Sequence, residues 1–392
     1  MTKVAVVISH PVQHFCPQYE SWSECEQWET KVFFGSKAGL ENYDDKDFKK
    51  EIEWNLSLDF PHKFLNNGKV LDPSAKLDAP KLKEGLETYE PDVLITYGYR
   101  KKINRRAIYW ASQMEGVKLF MVSDSENNQK RAWYKHATKK VVLGMYLYPK
   151  IDGFLTLGNA NEEYHYEYGA DIKQCVRLPL GIDRERFELV YQEKPKFNAE
   201  IRNKFNISND ENLCIVVGKL VPWKRQRDLV SALSHLSDEE PGTTALILGS
   251  GETIDEVRAE AEALDVNRAI VPGFVHPSEL PKYYAAADIY VHTSEQEPHS
   301  VAITEATYMG CPVILSDHCG SYGPTDDVQP GRNGFVYSCG DTQELASQIQ
   351  RLASNSDLRE QFSEASRSIA VRAQNKAHGE GLKEALLHFG VL

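Results

Sequence analysis

Acids and lysines in loops that follow strands are the groups of this 392-residue chain best placed to do chemistry. Glu297 and Glu305 have seven residues between them, inside the stretch Val291–Ala306. The apolar run Ile289-Tyr290-Val291 ends in a polar turn, a helix follows, and Pro312-Val313-Ile314 starts another strand. Glu297 then falls in the loop and Glu305 about a turn and a half into the helix, so both can face one ligand. Ser300 and Val301 open that helix, whose unpaired N–H groups and dipole favour an anion. Upstream, the apolar strand Leu213–Val217 runs into Gly218-Lys219-Leu220-Val221-Pro222-Trp223-Lys224, which adds two cations, Lys219 and Lys224. Carboxylates accept hydrogen bonds from hydroxyls, and fixed cations stabilise negative charge growing on a phosphate.

The first half carries a sparser set. Val4–Ser9 reads as a buried parallel strand, a short apolar run closed by turn residues. The loop after it is Ser9-His10-Pro11-Val12-Gln13-His14, where either histidine has the chemistry to assist a reaction or simply to sit in structure. Asp124 follows the apolar Leu119–Val122. A carboxylate at the end of a central strand is a ligand-binding candidate; the equal alternative is a helix N-cap.

The elements that must hold these residues alternate. Strands are expected at Val4–Ser9, Lys31–Gly35, Asp92–Gly98, Lys118–Asp124, Gly153–Gly158 and Val176–Leu180, with helices such as Lys81–Tyr89 and Arg105–Glu115 between them. Such alternation implies a parallel sheet covered on both faces by helices. Arg184–Asn212 turns charged and loses periodicity, which places a domain boundary there. A second sheet then starts at Leu213–Val217. It continues through Ala245–Leu248, whose Gly-rich turn contains Gly249 and Gly251, and closes at Asn333–Tyr337. That turn lacks the third glycine and the later acid of a dinucleotide fingerprint. Helical periodicity returns at 343–353, 358–370 and 382–387. The domains are expected at 1–190, 191–370 and, as a terminal helix, 371–392. Residues 38–80 are polar and irregular, suited to a lid or acceptor loop, and their Asp45-Lys46-Asp47 reads as solvated.

Composition sets outer limits. Hydrophobic residues at 41% and charged ones at 26% read as soluble and globular. The seven scattered cysteines form no C-x-x-C pair, so neither a disulfide framework nor a zinc ribbon is expected, and a reducing cytoplasm fits. No apolar run approaches a membrane span and the N-terminus lacks a signal-peptide pattern. A net charge of −12 argues against nucleic acid as a partner. Between Tyr97 and Lys150, however, twelve Lys and Arg face three Asp and Glu, interleaved with Tyr99, Tyr109, Trp110, Trp133, Tyr134, Tyr146 and Tyr148. Segments 99–110 and 130–148 therefore suit an anionic membrane surface or a lipid diphosphate.

Two glutamates spaced in this way, then Gly310, Cys311, Pro312 and a Val-rich strand, resemble the signature of retaining family 4 glycosyltransferases of the GT-B fold. Pro298-His299-Ser300 replaces that family's more usual Gly-aromatic-Gly. Gly218 to Lys224 is similar to its Gly-Arg-x-x-x-x-Lys loop, with Lys219 where Arg is usual; the charge is kept and the bidentate fork lost. Leu180-Gly181-Ile182-Asp183 with Phe187 resembles the family's entry into its second domain.

The resemblance implies two doubly wound Rossmann-like domains facing across a cleft, with a C-terminal helix returning to the first. It implies a nucleotide-sugar donor site made of Gly218, Lys219, Lys224, Gly249, Gly251, Phe274, Val275, Glu297, His299, Ser300, Val301 and Glu305. There the lysines clamp the diphosphate, and the glycines let backbone approach the nucleotide. Phe274 and Val275 read the base edge through their backbone, Glu305 takes the ribose hydroxyls, and Glu297 holds the sugar. Asp124 matches a residue that contacts the donor sugar, and His10, Gln13 and His14 face the acceptor. The implied activity is retaining, metal-independent transfer from a nucleotide diphosphate, a UDP-sugar favoured, to a saccharide or lipid-linked saccharide, without a cofactor. The setting would be bacterial polysaccharide or glycoconjugate synthesis at the inner face of the membrane. Glu297, Lys224, Lys219 and Asp124 would serve catalysis. A nucleotide-sugar epimerase or hydrolase on the same fold, and a non-catalytic sugar-nucleotide-binding module, are the rival readings.

Overall fold

The computed structural model describes residues 1–41, 56–127, 133–236, 242–264 and 269–392 in full, together with the backbone of 43–45 and 50–52. Lys46 and Asp47 of the D-x-D pattern, and Lys130 and Arg131 of the basic excess, lie outside the described residues. Two compact units emerge. Met1–Asp44, Glu51–Ile182 and Ala373–Leu392 belong to the first, and Asp183–Arg372, with Asp45 and Lys50, to the second.

The first unit contains β1 (Thr2–Ile8), α1 (Cys16–Ser23), β2 (Trp28–Phe34), β3 (Tyr43–Asp45), β4 (Lys50–Ile52), β5 (His62–Phe64), α2 (Leu82–Tyr89), β6 (Val93–Tyr97), α3 (Lys102–Ala111), β7 (Lys118–Val122), α4 (Trp133–Val142), β8 (Gly153–Thr156), α5 (Asn159–Glu167) and β9 (Cys175–Arg177). β3 and β4 pair only with each other, and the other seven strands form one sheet in the order β5-β2-β1-β6-β7-β8-β9. Every pairing in it is parallel, for example Val6 against both Val32 and Ile95. Val4 to Val7 and Val93 to Ile95 are fully buried, the continuous apolar run expected of strands covered on both faces.

His62–Phe64 corrects the reading of 38–80 as irregular throughout. It adds a parallel edge strand to β2, held by the Phe34 ring 5.4 Å from Phe64 and 6.4 Å from Phe60. Three residues are too short to show a period in sequence, and ring packing supplies what propensity does not.

The second unit contains α6 (Arg184–Gln192), α7 (Lys194–Lys204), β10 (Asn212–Val217), α8 (Gln226–Leu233), β11 (Thr243–Leu248), α9 (Ile254–Ala263), β12 (Ala269–Gly273), α10 (Leu280–Ala286), β13 (Ile289–His292), α11 (Val301–Tyr308), β14 (Val313–Ser316), β15 (Gly334–Tyr337), α12 (Thr342–Ala353) and α13 (Ser356–Asn375). Its six strands run parallel in the order β12-β11-β10-β13-β14-β15.

The stretch 184–212, expected to lack regular structure, instead opens with two helices. Asp183 caps α6 by accepting from the Arg186 N–H at 3.1 Å. Buried Arg202 of α7 pairs with Asp288 at 2.6 Å and donates to the carbonyls of Ser208 and Glu211. The charges that made this stretch look like a linker are thus partly internal.

The chain's end returns to the first unit. Past α13 the carbonyl of Ala377 accepts from Gln18 and Trp22 at 2.8 and 2.9 Å, and α14 (Gly381–His388) is followed by Phe389, whose ring lies 4.9 Å from Phe120. Thr2 Oγ donates to the carbonyl of Val391 at 3.2 Å. All seven cysteines are free thiols.

Candidate functional site

In each sheet the strand order reverses once beside the first strand of its unit: between β1 and β6, and between β10 and β13. Loops leaving the carboxyl ends of such neighbouring strands splay apart and leave room for a ligand. In the second unit those loops carry Lys219 and Lys224 after β10, and Glu297 after β13.

The two loops are tied together through backbone. The Glu295 N–H donates to the carbonyl of Trp223 at 2.7 Å, and Thr293 Oγ1 donates to that of Lys224 at 2.7 Å. Arg225 takes a left-handed conformation (φ 50°) and its guanidinium grips Asp228 at 2.8 and 3.1 Å, fixing the turn into α8. So held, the Lys224 ammonium meets the Glu297 carboxylate in a close ion pair. His292 Nε2 stands 3.2 Å from the same carboxylate oxygen. Burial pushes the Glu297 carboxyl up, but His292 and Lys224 outweigh it and hold it down at about 2. His292 itself is lowered by burial, with Glu297 working against that.

Glu305 sits in the opposite electrostatic condition. On α11 it is buried, and the Tyr284 hydroxyl donates to it at 2.9 Å. Burial pushes its carboxyl up to about 7, against the smaller pull of Tyr284 and Arg186. Rings and hydrogen bonds join the two glutamates. The rings of Tyr284 and Tyr290 lie 5.9 Å apart, and the Tyr290 hydroxyl is 3.2 Å from His292 Nδ1. Two carboxyls on one buried path, one ionised and one poised to titrate, fit different tasks.

α11 opens at Ser300, which has extended backbone and no side-chain cap; the Ile303 N–H donates to the Ser300 carbonyl at 3.2 Å, and the N–H groups of Val301 and Ala302 ahead of it lie at the open end of the helix. The Ser300 N–H itself donates to Ser321 Oγ at 2.9 Å. His299 is drawn to Asp327, 3.2 Å away, which also accepts from Thr304 Oγ1 at 2.7 Å. Val301 begins the helix.

The glycines have a steric reason. A Cβ on Gly249 would lie 1.8 Å from the carbonyl oxygen of Gly218, and one on Gly251 would lie 2.3 Å from that of Leu220. The loops after β10 and β11 are pressed backbone to backbone, sewn by Leu220 N–H to Ser250 O at 2.9 Å. Only glycine fits there. Gly249 N–H reaches on to the Gly273 carbonyl at 2.9 Å, and half-buried Phe274 and Val275 follow directly. Half-buried Lys219 presents its carbonyl to the Gln226 amide at 2.9 Å.

The first unit holds the other expected residues. His10 and His14 are half-buried in the loop after β1, and burial pushes both down to about 4. Gln13 is half-buried in the turn that leads into α1. Asp124 is exposed, while the nearby Glu126 is buried; the residues directly after Asp124, 125–127, are not helical, so it is not the cap of a helix that starts there. Among the described residues no three His, Cys, Asp or Glu side chains cluster as a metal site would need.

The two basic-aromatic segments differ. α3 buries Ile103, Ala107, Ile108, Trp110 and Ala111. α4 buries nothing: it meets its own unit through His136, 2.6 Å from Glu167, and Lys139, over the rings of Tyr164 and Tyr168 at 4.4 and 4.9 Å. Its other side leaves Trp133 (81%), Tyr134, Val141 and Val142 exposed, continued by Met145 and Tyr146 (66%). No helix among the described residues is long and apolar enough to cross a membrane.

Residues 197–369, nearly the whole of the second unit, match the family model of glycosyl transferases group 1. The second unit belongs to that family. Among curated relatives of this chain, alpha-monoglucosyldiacylglycerol synthase of Streptococcus pneumoniae is 25% identical over 42% of the chain and 37% of its own length. A GDP-mannose-dependent alpha-(1-6)-phosphatidylinositol monomannoside mannosyltransferase of Mycobacterium tuberculosis is 27% identical over 46% of the chain and 47% of its own length. The chain thus spans about half or less of the length of these two relatives. The fold extends further: Anabaena HepE, solved in complex with UDP, superposes with a TM-score of 0.71 at 17% identity, covering 99% of this chain and 100% of that one. The fold is therefore GT-B, with two parallel-sheet, Rossmann-like domains.

His292, Tyr284 and Tyr290 are site residues that sequence reasoning missed. His292 directly precedes the loop that holds Glu297, and a buried histidine at the end of a strand was the available signal.

Proposed function

We propose that this chain is a retaining glycosyltransferase that moves a sugar from a nucleotide-diphosphate donor to a saccharide or lipid-linked saccharide. One observation carries the proposal: at the switch point of the second sheet, the Lys224–Glu297 pair and the buried Glu305 are joined through His292, Tyr290 and Tyr284. In this reading the donor's diphosphate meets Lys219, Lys224 and the opening of α11, which take up the charge that grows as the glycosidic bond breaks. Positive side chains fill the role a metal fills elsewhere. Glu305 accepts from the ribose hydroxyls, and Glu297 holds hydroxyls of the sugar. The departing phosphate takes the acceptor's proton on the face where the new bond forms, which preserves the anomeric configuration.

Relatives named for diacylglycerol and phosphatidylinositol substrates support a lipid-linked acceptor. The exposed aromatic side of α4 supports work at an anionic membrane surface, on the cytoplasmic face. A UDP-sugar is the first donor to try, because the Anabaena neighbour holds UDP; the mycobacterial relative makes GDP the second.

Thermal shifts with UDP-, GDP- and ADP-sugars test this. A donor at about one hundred times its Kd stabilises the folded chain by about 2.7 kcal/mol. One of the three nucleotides is expected to raise the melting temperature, with the rise abolished in Lys224→Ala and Glu305→Ala. Equal shifts in both variants and the wild type would refute the site.

A further inference from the structure

The first sheet has its own switch point, between β1 and β6, and the loops that leave it carry a hydrogen-bonded chain with no part in the reading above. Lys101 Nζ donates to Ser9 Oγ at 2.7 Å, and Ser9 Oγ lies 2.8 Å from His10 Nδ1. Lys101 comes from the turn after β6, and Ser9 and His10 from the end of β1. Ser9 is buried, with its carbonyl packed near Gly35, where an added Cβ would come within 3.2 Å.

The direction of this chain follows from what each group can give. An ammonium has protons and no lone pair, so Ser9 Oγ must accept from Lys101. The hydroxyl proton of Ser9 is then left to donate, and the ring nitrogen of His10 is the acceptor within reach. A neutral imidazole that accepts at Nδ1 carries its proton at Nε2. The surroundings keep the ring neutral: burial, Lys101 and His14 all disfavour a positive charge on it. Asp72 and Asp124 face Lys101 and support its charge against burial.

We propose that Lys101, through Ser9, fixes His10 in the Nε2–H tautomer, so that His10 donates a hydrogen bond to an oxygen of the acceptor and does not act as its base. Lys101 is a positioning residue, and His10 is the group that touches acceptor. The assignment of that ligand rests on the glycosyltransferase reading; the tautomer does not. It also agrees with a reaction in which the acceptor's proton leaves with the phosphate, since the His10 nitrogen turned toward the acceptor has no lone pair to take it.

Histidine-selective nitrogen-15 NMR of the full chain reads the tautomer directly, with the His10 signal identified by its loss in His10→Gln. The wild type is expected to show Nε2 protonated and Nδ1 bare from about pH 5.5 to 8, far from its own titration. Lys101→Met frees the Ser9 hydroxyl to turn and should mix the tautomers, whereas Lys101→Arg keeps a donor and the wild-type pattern. A wild-type signal with Nδ1 protonated, or a Lys101→Met spectrum identical to the wild type, overturns the proposal. In transfer assays Lys101→Met should raise the acceptor KM about tenfold and leave the nucleotide thermal shift unchanged. An unchanged acceptor KM overturns the acceptor contact. Loss of nucleotide shifts in the wild type would instead count against the enzyme reading alone.

Discussion

Glu305 couples the stability of the second unit to pH in a way that one substitution can isolate. Its carboxyl titrates at about 7 in the folded chain, against an ordinary value of 4.5, because burial disfavours the charged form. The folded state therefore holds this proton more tightly than the unfolded state does. Its contribution to stability is complete below about pH 4.5 and is lost as pH rises through 7. A difference of that size corresponds to about 3 kcal/mol across the window. For a unit of this length that is roughly 6–12 °C in melting temperature. Glu305→Gln keeps an oxygen to accept from Tyr284 and cannot ionise. The assay is thermal unfolding of wild type and variant at intervals from pH 4.5 to 8.5. The variant should gain on the wild type as pH rises, by most of that amount at the alkaline end. Parallel curves for the two proteins would refute the buried-acid argument.

The Lys224–Glu297 pair should behave as a unit. Lys224→Met leaves a buried carboxylate with only His292 beside it and should cost about 3 kcal/mol, while adding Glu297→Gln should recover most of that in urea unfolding. Strictly additive losses would show that the two groups do not interact. At α4, Trp133→Ala and Tyr146→Ala should each weaken binding to vesicles rich in anionic lipid about tenfold, read by co-sedimentation. Full binding by the double variant would remove α4 from the membrane reading.

The parts of the molecule legible in sequence were those that repeat a strong local pattern. β1, β6, β10 and β13 announce themselves as unbroken apolar runs, and the helix bearing Glu305 follows from the turn before it. Lys219, Lys224 and Glu297 could be placed because loops after parallel strands have only one edge of the sheet to occupy. What escaped was set by tertiary contact. Arg202 and Asp288 are charges that a reader of sequence puts outside, yet they pair inside the second unit. His62–Phe64 is a strand only because β2 offers it an edge. Nothing local distinguishes Asp124 from Glu126, and it is Glu126 that the fold buries. The His292–Tyr290–Tyr284 path joins side chains from one strand and one helix, so no spacing rule reveals it. Likewise, the direction of hydrogen bonding from Lys101 to His10 needs coordinates from two loops that are about ninety positions apart in the chain.

The contact between Thr2 and Val391 sets residues 2 and 391 side by side within one unit. A short linker could join them, and the ring so formed could be reopened between Arg372 and Ala373, in the last turn of α13. The reordered gene product would then read 373–392, linker, 1–182 as one uninterrupted block and 183–372 as the next. Each parallel sheet would then lie in a single contiguous segment, separable by one cut. The half carrying Lys224 and Glu297 could be produced alone to test for nucleotide binding, and the half carrying His10 and Lys101 for spectroscopy at half the molecular weight.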